Sequence, residues 1–388
     1  MKKDTIIVSG GRHPRDHFGV VNPPVYRAST VTYPTLAEWD EARHERFDRI
    51  VYGRFGTPTS FAFEEAMARL EGGGRAVALS SGLAACAAAI LASVQTGDHV
   101  LVTDSAYAPV RNMCDRFLPG FGVETTYYNP LIGSDIAALI RPNTRLIYTE
   151  APGSHTFEMQ DIPAITAVAR DKGVLTAMDN TWGTPLLFQP LSHGIDFSIN
   201  AATKYVVGHS DAMLGVVTVR TELFEKVKLA ANFTGNCPGS EEVYLGLRGL
   251  RTMGVRLARH SENALKVAKW FQGHPEVHRV LYPALPDDPG PAIWNRDFSG
   301  AAGLFTVVFK PFAKDAVAAM IDGLEHFGLG ASFGGYESLV LPIDPGPLRT
   351  ATTWQEPGPA VRFHVGLEDP DDLIEDLAKG LGRLKKGA

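Results

Sequence analysis

The chain has 388 residues, 45% of them hydrophobic, and a net charge of −6. That is enough apolar material for a large core divided over two or three domains, and the weakly acidic balance without a basic stripe excludes a nucleic-acid footprint. The run Met1 to Gly10 lacks the apolar region of a signal peptide, and the longest apolar stretch, Leu83 to Val94, is too short to span a bilayer.

Cys86, Cys114 and Cys237 show neither metal-ligand spacing nor an even disulfide set. Cys86 and Cys114 lie in apolar helical patterns and read as small buried hydrophobes. The expectation is a soluble cytoplasmic protein that binds no nucleic acid, membrane or metal.

Residues 1–55 are rich in proline, aromatic and charged residues with little periodicity. Such an arm cannot build its own core and is expected to lie on another surface, that of a neighbouring subunit. The charged run Asp40 to Arg49 reads as a solvated helix face. Over residues 56–250, β-rich runs recur at Ala76–Leu79, Val100–Thr103, Thr125–Tyr128, Leu146–Thr149, Val174–Met178, Phe197–Ile199 and Leu214–Val219. Helical stretches such as Leu83–Val94, Pro109–Phe117, Ile162–Arg170 and Glu222–Leu229 separate most of them. That alternation predicts a mostly parallel sheet with helices on both faces. A helix Glu241–Gly249 leads into a longer one, Thr252–Phe271. Residues 251–388 then read as a smaller α/β domain with strands at Leu304–Phe309, Gly328–Ala331 and Val361–Gly366. The last helix, Pro370–Leu384, opens on Asp371 and Asp372 and closes on Lys385 and Lys386, as its dipole favours.

Open α/β sheets bind ligands beyond the carboxyl ends of their strands, so the loops there carry the functional argument. Ser80-Ser81-Gly82-Leu83 exposes backbone N–H groups at a helix start, as a phosphate requires, and reads equally as an ordinary capped turn. Gly72-Gly73-Gly74 precedes its strand instead of following it, so no dinucleotide fingerprint is present. Tyr107 ends another strand, where it either stacks on a flat cofactor or caps the core. Asp179 closes an apolar strand, where a carboxylate is costly unless paired; a protonated pyridine nitrogen or a helix start would each satisfy it. Lys204 follows the strand run ending at Ile199 and sits among small and apolar residues, with Thr203 beside it. A desolvated lysine has a lowered pKa and can form a Schiff base with a carbonyl, although a strand-end lysine is the plainer reading.

In this order the motifs resemble those of the cysteine and methionine metabolism family of pyridoxal-phosphate enzymes of fold type I, from about Thr5 to Leu384. The resemblance implies that fold, a seven-stranded sheet with a smaller carboxyl-terminal α/β domain, and pyridoxal 5'-phosphate as cofactor. Tyr52-Gly53-Arg54 is similar to the family's Tyr-x-Arg, which reaches a neighbouring subunit's cofactor phosphate. Gly82 and Leu83 match the phosphate loop, Tyr107 the stacking tyrosine, Asp179 the pyridine-nitrogen partner, and Thr203 and Lys204 the phosphate threonine and Schiff-base lysine. Ser332, Phe333 and Arg362 match the segments that grip the substrate carboxylate, Arg362 as the bidentate anchor. The implied assembly is a homotetramer of two dimers.

Within the family, Glu150-Ala151-Pro152-Gly153-Ser154 and the surroundings of Lys204 look like those of bacterial cystathionine β-lyases. The implied reaction is β-elimination from L-cystathionine, with Lys204 moving the Cα proton and Tyr107 assisting the incoming amine. The alternatives are a broad cysteine-conjugate or cystine β-lyase, a γ-synthase or γ-lyase, and a non-catalytic regulatory protein on the same fold. Three departures bear on this. Ala201 stands where many relatives have a phosphate-binding serine, Phe333 replaces a common tryptophan, and Asn112 lies where an acid is frequent.

Overall fold

The computed structural model describes residues 1–384; Lys385 and Lys386, expected at the end of the last helix, lie outside the described residues. Two sheets organise the chain. The first contains β1 (Arg75–Leu79), β2 (His99–Thr103), β3 (Glu124–Tyr128), β4 (Thr144–Glu150), β5 (Leu175–Asp179), β6 (Phe197–Asn200) and β7 (Gly215–Val219). Their spatial order is β1-β7-β6-β5-β4-β2-β3, and β7 alone runs against its two neighbours.

The apolar runs become strands here because both faces of the sheet are covered. Along β1, Ala76 and Ala78 enter one apolar cluster while Val77 and Leu79 enter the other, the two-residue period of a strand between two helix layers. Since β1 through β6 all point the same way, residues 80–83, 104–107, 150–158, 179–181 and 201–204 gather along one sheet edge.

The second sheet has the order β10 (Gly328–Leu329), β11 (Leu339–Ile343), β12 (Ala360–His364), β9 (Leu304–Phe309) and β8 (Val277–Leu281). One apolar cluster runs without a break from the helix Pro58–Leu70 under the first sheet to Phe305 and Phe363 of the second. Among the described residues no helix is long and apolar enough to cross a membrane.

Several boundaries differ from the sequence reading. Gly328–Ala331 shrinks to a two-residue strand, and β8, β11 and the helix Pro58–Leu70 were not anticipated. The first 55 residues contain two α-helices, Lys3–Ser9 and Leu36–His44. The first lies on this chain's own body: Ile7 is buried, and Arg251 donates to the carbonyls of Ile7 and Gly10, both at 2.8 Å. On the second, Asp40 and Arg43 form an exposed ion pair, in keeping with a solvated face. Phe18, Val20 and Val21 are exposed.

Candidate active site

Six of the singled-out side chains, Lys204, Ser332, Phe333, Arg362, Asp179 and Tyr107, converge at this end of the sheet. Lys204 follows β6 and its Nζ donates to Ser332 Oγ at 2.9 Å. Burial, then the Arg362 charge, push the Lys204 amine down to about 8, against the pull of Asp179. The Phe333 ring centroid lies 5.1 Å from the same Nζ. Gly334 makes this approach possible: it holds φ +82°, and a Cβ there would stand 2.7 Å from the Tyr205 nitrogen and 2.8 Å from the Lys204 carbonyl carbon. His364, two residues beyond Arg362 on β12, accepts the Gly334 N–H at 3.0 Å and so fixes the segment.

Arg362 donates to the Ser332 carbonyl at 3.1 Å, and none of the ion pairs among the described residues includes it. Its guanidinium is largely out of water, which lowers it to about 10. A desolvated cation without a carboxylate calls for an anionic ligand.

Asp179 ends β5 directly opposite Glu150 of β4, so two carboxyls share one sheet face. Burial raises both, and the Asp179 charge adds to the rise of Glu150, which goes well above the ordinary carboxyl range. Asp179 Oδ1 accepts the Thr181 N–H at 2.9 Å, and Cys86 Sγ lies 3.8 Å from Oδ2. Cys86 is buried as expected, yet Tyr148 Oη donates to its sulfur at 3.3 Å, so it is also a polar link behind Asp179.

Tyr107 stays 43% exposed, leaving a ring face open to a ligand. Its N–H donates to Glu150 Oε2 at 2.7 Å, and burial pushes its phenol up, so the phenol keeps its proton at neutral pH. Glu150 is the neighbour of Tyr107 and Asp179 that the sequence reading did not single out as a site residue. It ends an apolar strand just as Asp179 does, and that signal was available.

Gly82 opens the helix Gly82–Leu91. Of the first N–H groups, Ala84's goes to Ser81 Oγ and Ala85's to the Ser81 carbonyl, which leaves those of Gly82 and Leu83 at the opening. A Cβ on Gly82 would stand 2.4 Å from the Ala201 methyl, so a small pair lines this corner. The Thr203 hydroxyl donates to the Leu214 carbonyl at 3.0 Å and accepts the Leu214 N–H at 2.8 Å.

Two expected residues lie elsewhere. Tyr52 is exposed and bridges Thr30, and Arg54 donates to Asn232 Oδ1 at 2.6 Å beside the Phe55 ring. None of these bonds reaches the Lys204 cluster. Asn112 is exposed and shares an open cavity with Leu83, Pro109 and Phe117.

A lysine lowered by burial, a raised aspartate and an unpaired arginine, with free N–H groups at a helix start, fit a phosphorylated aldehyde ring bearing an amino acid. The description Cys/Met metabolism PLP-dependent enzyme matches residues 4–382. The chain belongs to this family.

Among relatives of this PLP-dependent family, a cystathionine beta-lyase of Escherichia coli is 42% identical, with 99% of each chain covered. An L-alanine/L-glutamate racemase of a Wolbachia strain is 40% identical, over 99% of this chain and 98% of its own. The crystal structure of a cystathionine gamma-lyase from Lactobacillus plantarum, complexed with L-serine, superposes with a TM-score of 0.91 at 29% identity, covering 99% of this chain and all of that one. The fold is therefore that of fold-type-I pyridoxal-phosphate enzymes, and pyridoxal 5'-phosphate is the cofactor.

Proposed function

We propose that the chain is a carbon–sulfur β-lyase that converts L-cystathionine and water into homocysteine, pyruvate and ammonia. The observation that carries this reading is the Lys204 amine, lowered to about 8 beside Ser332, with Asp179 and Arg362 near enough to act on its charge. An amine that titrates near neutrality can accept a proton and return it.

Pyridoxal phosphate, when bound, supplies an electron sink for the pair left on Cα. Lys204 would hold the cofactor, and its free Nζ would take the Cα proton of the substrate. Ser332, the present partner of Nζ, keeps it in place. Asp179 would supply the carboxylate that keeps the cofactor's ring nitrogen protonated. Arg362 takes the substrate α-carboxylate in two parallel hydrogen bonds. Tyr107, its backbone pinned by Glu150, would stack on the ring. The N–H groups of Gly82 and Leu83 take the phosphate, and the Thr203 hydroxyl joins them by turning its proton away from Leu214. Phe333 borders the path of the departing sulfur half.

Tyr52 and Arg54 serve a second copy of the chain, since their bonds do not reach the Lys204 cluster within one copy. Of residues 1–55, the part beyond the helix Lys3–Ser9 then forms an arm to that copy, with 56–250 the cofactor-binding part and 251–388 the smaller part. The working assembly is a homotetramer of two dimers in the cytoplasm.

The test is the set of products formed from L-cystathionine by the cofactor-loaded protein. Pyruvate with homocysteine is expected. 2-Oxobutyrate with cysteine would make it a γ-lyase. Racemisation of alanine or glutamate without keto acid would place it with the Wolbachia relative.

A further inference from the structure

The loop that carries Tyr107 begins with Asp104, a carboxylate at the end of β2 that is 1% exposed. Its partners come mainly from the connection between β11 and β12. Thr350 N–H donates to Oδ1 at 3.0 Å, and Ala351 and Thr352 N–H donate to Oδ2 at 3.1 and 2.8 Å. The hydroxyls of Thr350 and Thr352 add bonds of 3.1 and 2.6 Å, and Arg111 Nη1 one of 3.0 Å. Three consecutive backbone N–H groups of an irregular segment thus close on one carboxylate. Burial pushes its pKa up, but the Thr352 hydroxyl and the three N–H groups outweigh it and hold the group ionised.

The segment so held does not stop at Asp104. Arg349, one residue earlier, donates to Glu158 Oε1 at 2.9 Å and to the Thr156 hydroxyl. Ser154 N–H donates to the Ser105 carbonyl at 2.8 Å, tying that same loop back to Tyr107's. Between Ser154 and Thr156, His155 takes φ +66°. Burial, with the Arg362 and Arg349 charges adding to it, lowers its ring to about 4 and keeps it neutral. These bonds link three loops, one of them carrying Tyr107, into a ring, and Asp104 and Arg349 fasten the second sheet's connection to the first sheet.

A buried ionic cluster is poor evidence of stability, because apolar residues of similar volume do as well. What it provides is direction. Other polar bonds cross between the two sheets' layers, among them Trp182 Nε1 to the Leu304 carbonyl at 3.0 Å and the Gly303 N–H to Tyr205 Oη at 2.9 Å, but these fasten β9 and leave the Thr350–Thr352 segment to Asp104. We propose that Asp104 is a positioning residue: by gathering Thr350–Thr352 it sets the second sheet, and with it Arg362 and Ser332, at the spacing from Tyr107 and Lys204 that the substrate carboxylate requires. The inference rests on the lyase reading for its substrate.

Two variants of the full-length, cofactor-loaded protein test it. Asp104→Asn turns an acceptor into a donor facing donors; Thr352→Val keeps the charge and the fold and removes one hydroxyl. The readouts are kcat and KM for L-cystathionine, and the rate at which trypsin cuts the Arg349–Thr350 bond of the native protein, followed by mass spectrometry. For Asp104→Asn, KM rises about tenfold or more while kcat falls less than about threefold, and the bond is cut at least about tenfold faster. Thr352→Val moves KM the same way by about threefold, and decides the matter alone if Asp104→Asn does not fold. An unchanged KM overturns the proposal whether or not the bond opens, and so does a loss confined to kcat. If the parent protein releases no pyruvate, the lyase reading fails instead, and an unchanged cutting rate would then overturn the fastening itself.

Discussion

Lys204 and Lys228 are both drawn out of water, and they differ in what faces them. Lys228 Nζ sits 2.7 Å from Glu64 Oε1, an oxygen that also accepts the Ala78 N–H at 2.9 Å. Lys204 Nζ has a serine hydroxyl, with a second cation, Arg362, close enough to push it further down. The first lysine is a completed ion pair in the fold. The second is kept incomplete, and the chemistry lies in that incompleteness. Burial alone does not make a lysine reactive; burial without an anionic partner does.

The largest effects follow from exchanging the same residue at the two places. Lys204→Met removes the group proposed to move the Cα proton and should cost at least about 10³-fold in turnover with substrate. Pyruvate release, together with the cofactor absorbance, checks it; a variant within tenfold of the parent would mean that the unpaired lysine is not the base. Lys228→Met should leave kcat/KM within about threefold but strand the Glu64 carboxylate, costing roughly 3–5 kcal/mol of stability. Urea unfolding reads that loss, and adding Glu64→Gln should recover most of it, because the two residues act as one unit. A Lys228→Met variant of parental stability would erase the distinction between the two sites.

The same distinction explains what was legible beforehand. Apolar runs bounded by turns announced all seven strands of the first sheet, and Leu304–Phe309 of the second was located to the residue. β8 was missed because Val277-His278-Arg279-Val280-Leu281 has a charged centre, with Arg279 paired to Glu356 in the fold at 2.7 Å. β11 was missed because Pro342 reads as a breaker, although it falls near the strand's end opposite Val361. Lys204 and Asp179 stood out because an ionisable residue after an apolar strand is costly wherever the chain goes. Pairing was not legible. Glu64 and Lys228 are 164 positions apart, and Asp104 and Thr352 are 248 apart. Only the assembled fold reveals which buried charge is satisfied.

The comparison extends to Arg362, the second unpaired cation of the site. If it waits for the substrate carboxylate, Arg362→Ala should weaken binding of the amino acid by roughly 2–5 kcal/mol, the range for removing one partner of a buried charge pair. The loss should appear in KM or in the dissociation constant of a non-reacting amino acid, with the cofactor absorbance retained. Unchanged affinity would show that the carboxylate is held elsewhere. Arg362→Lys should recover only part, since an ammonium cannot make the two parallel bonds of a guanidinium.

The smallest effect is the most discriminating, because its sign differs between the two lysines. In the cofactor-free protein the Lys204 amine is lowered from 10.5 to about 8. Below pH 8 the folded chain must therefore bury an ammonium that the unfolded chain keeps in water. By linkage this penalty is complete below about 8, fades between 8 and 10.5, and is gone above the unfolded value. It is on the order of 3 kcal/mol, less about 1 kcal/mol for the hydrogen bond to Ser332. Lys204→Met should accordingly raise the stability of the cofactor-free protein at pH 7 by about 2 kcal/mol, and the gain should vanish by about pH 10. Denaturant unfolding at the two pH values measures it. Lys228→Met should lose stability at pH 7, where Lys204→Met gains it. A loss at both positions would mean that Lys204 has an ionic partner in the folded state, and that its amine is neither destabilised nor poised for catalysis.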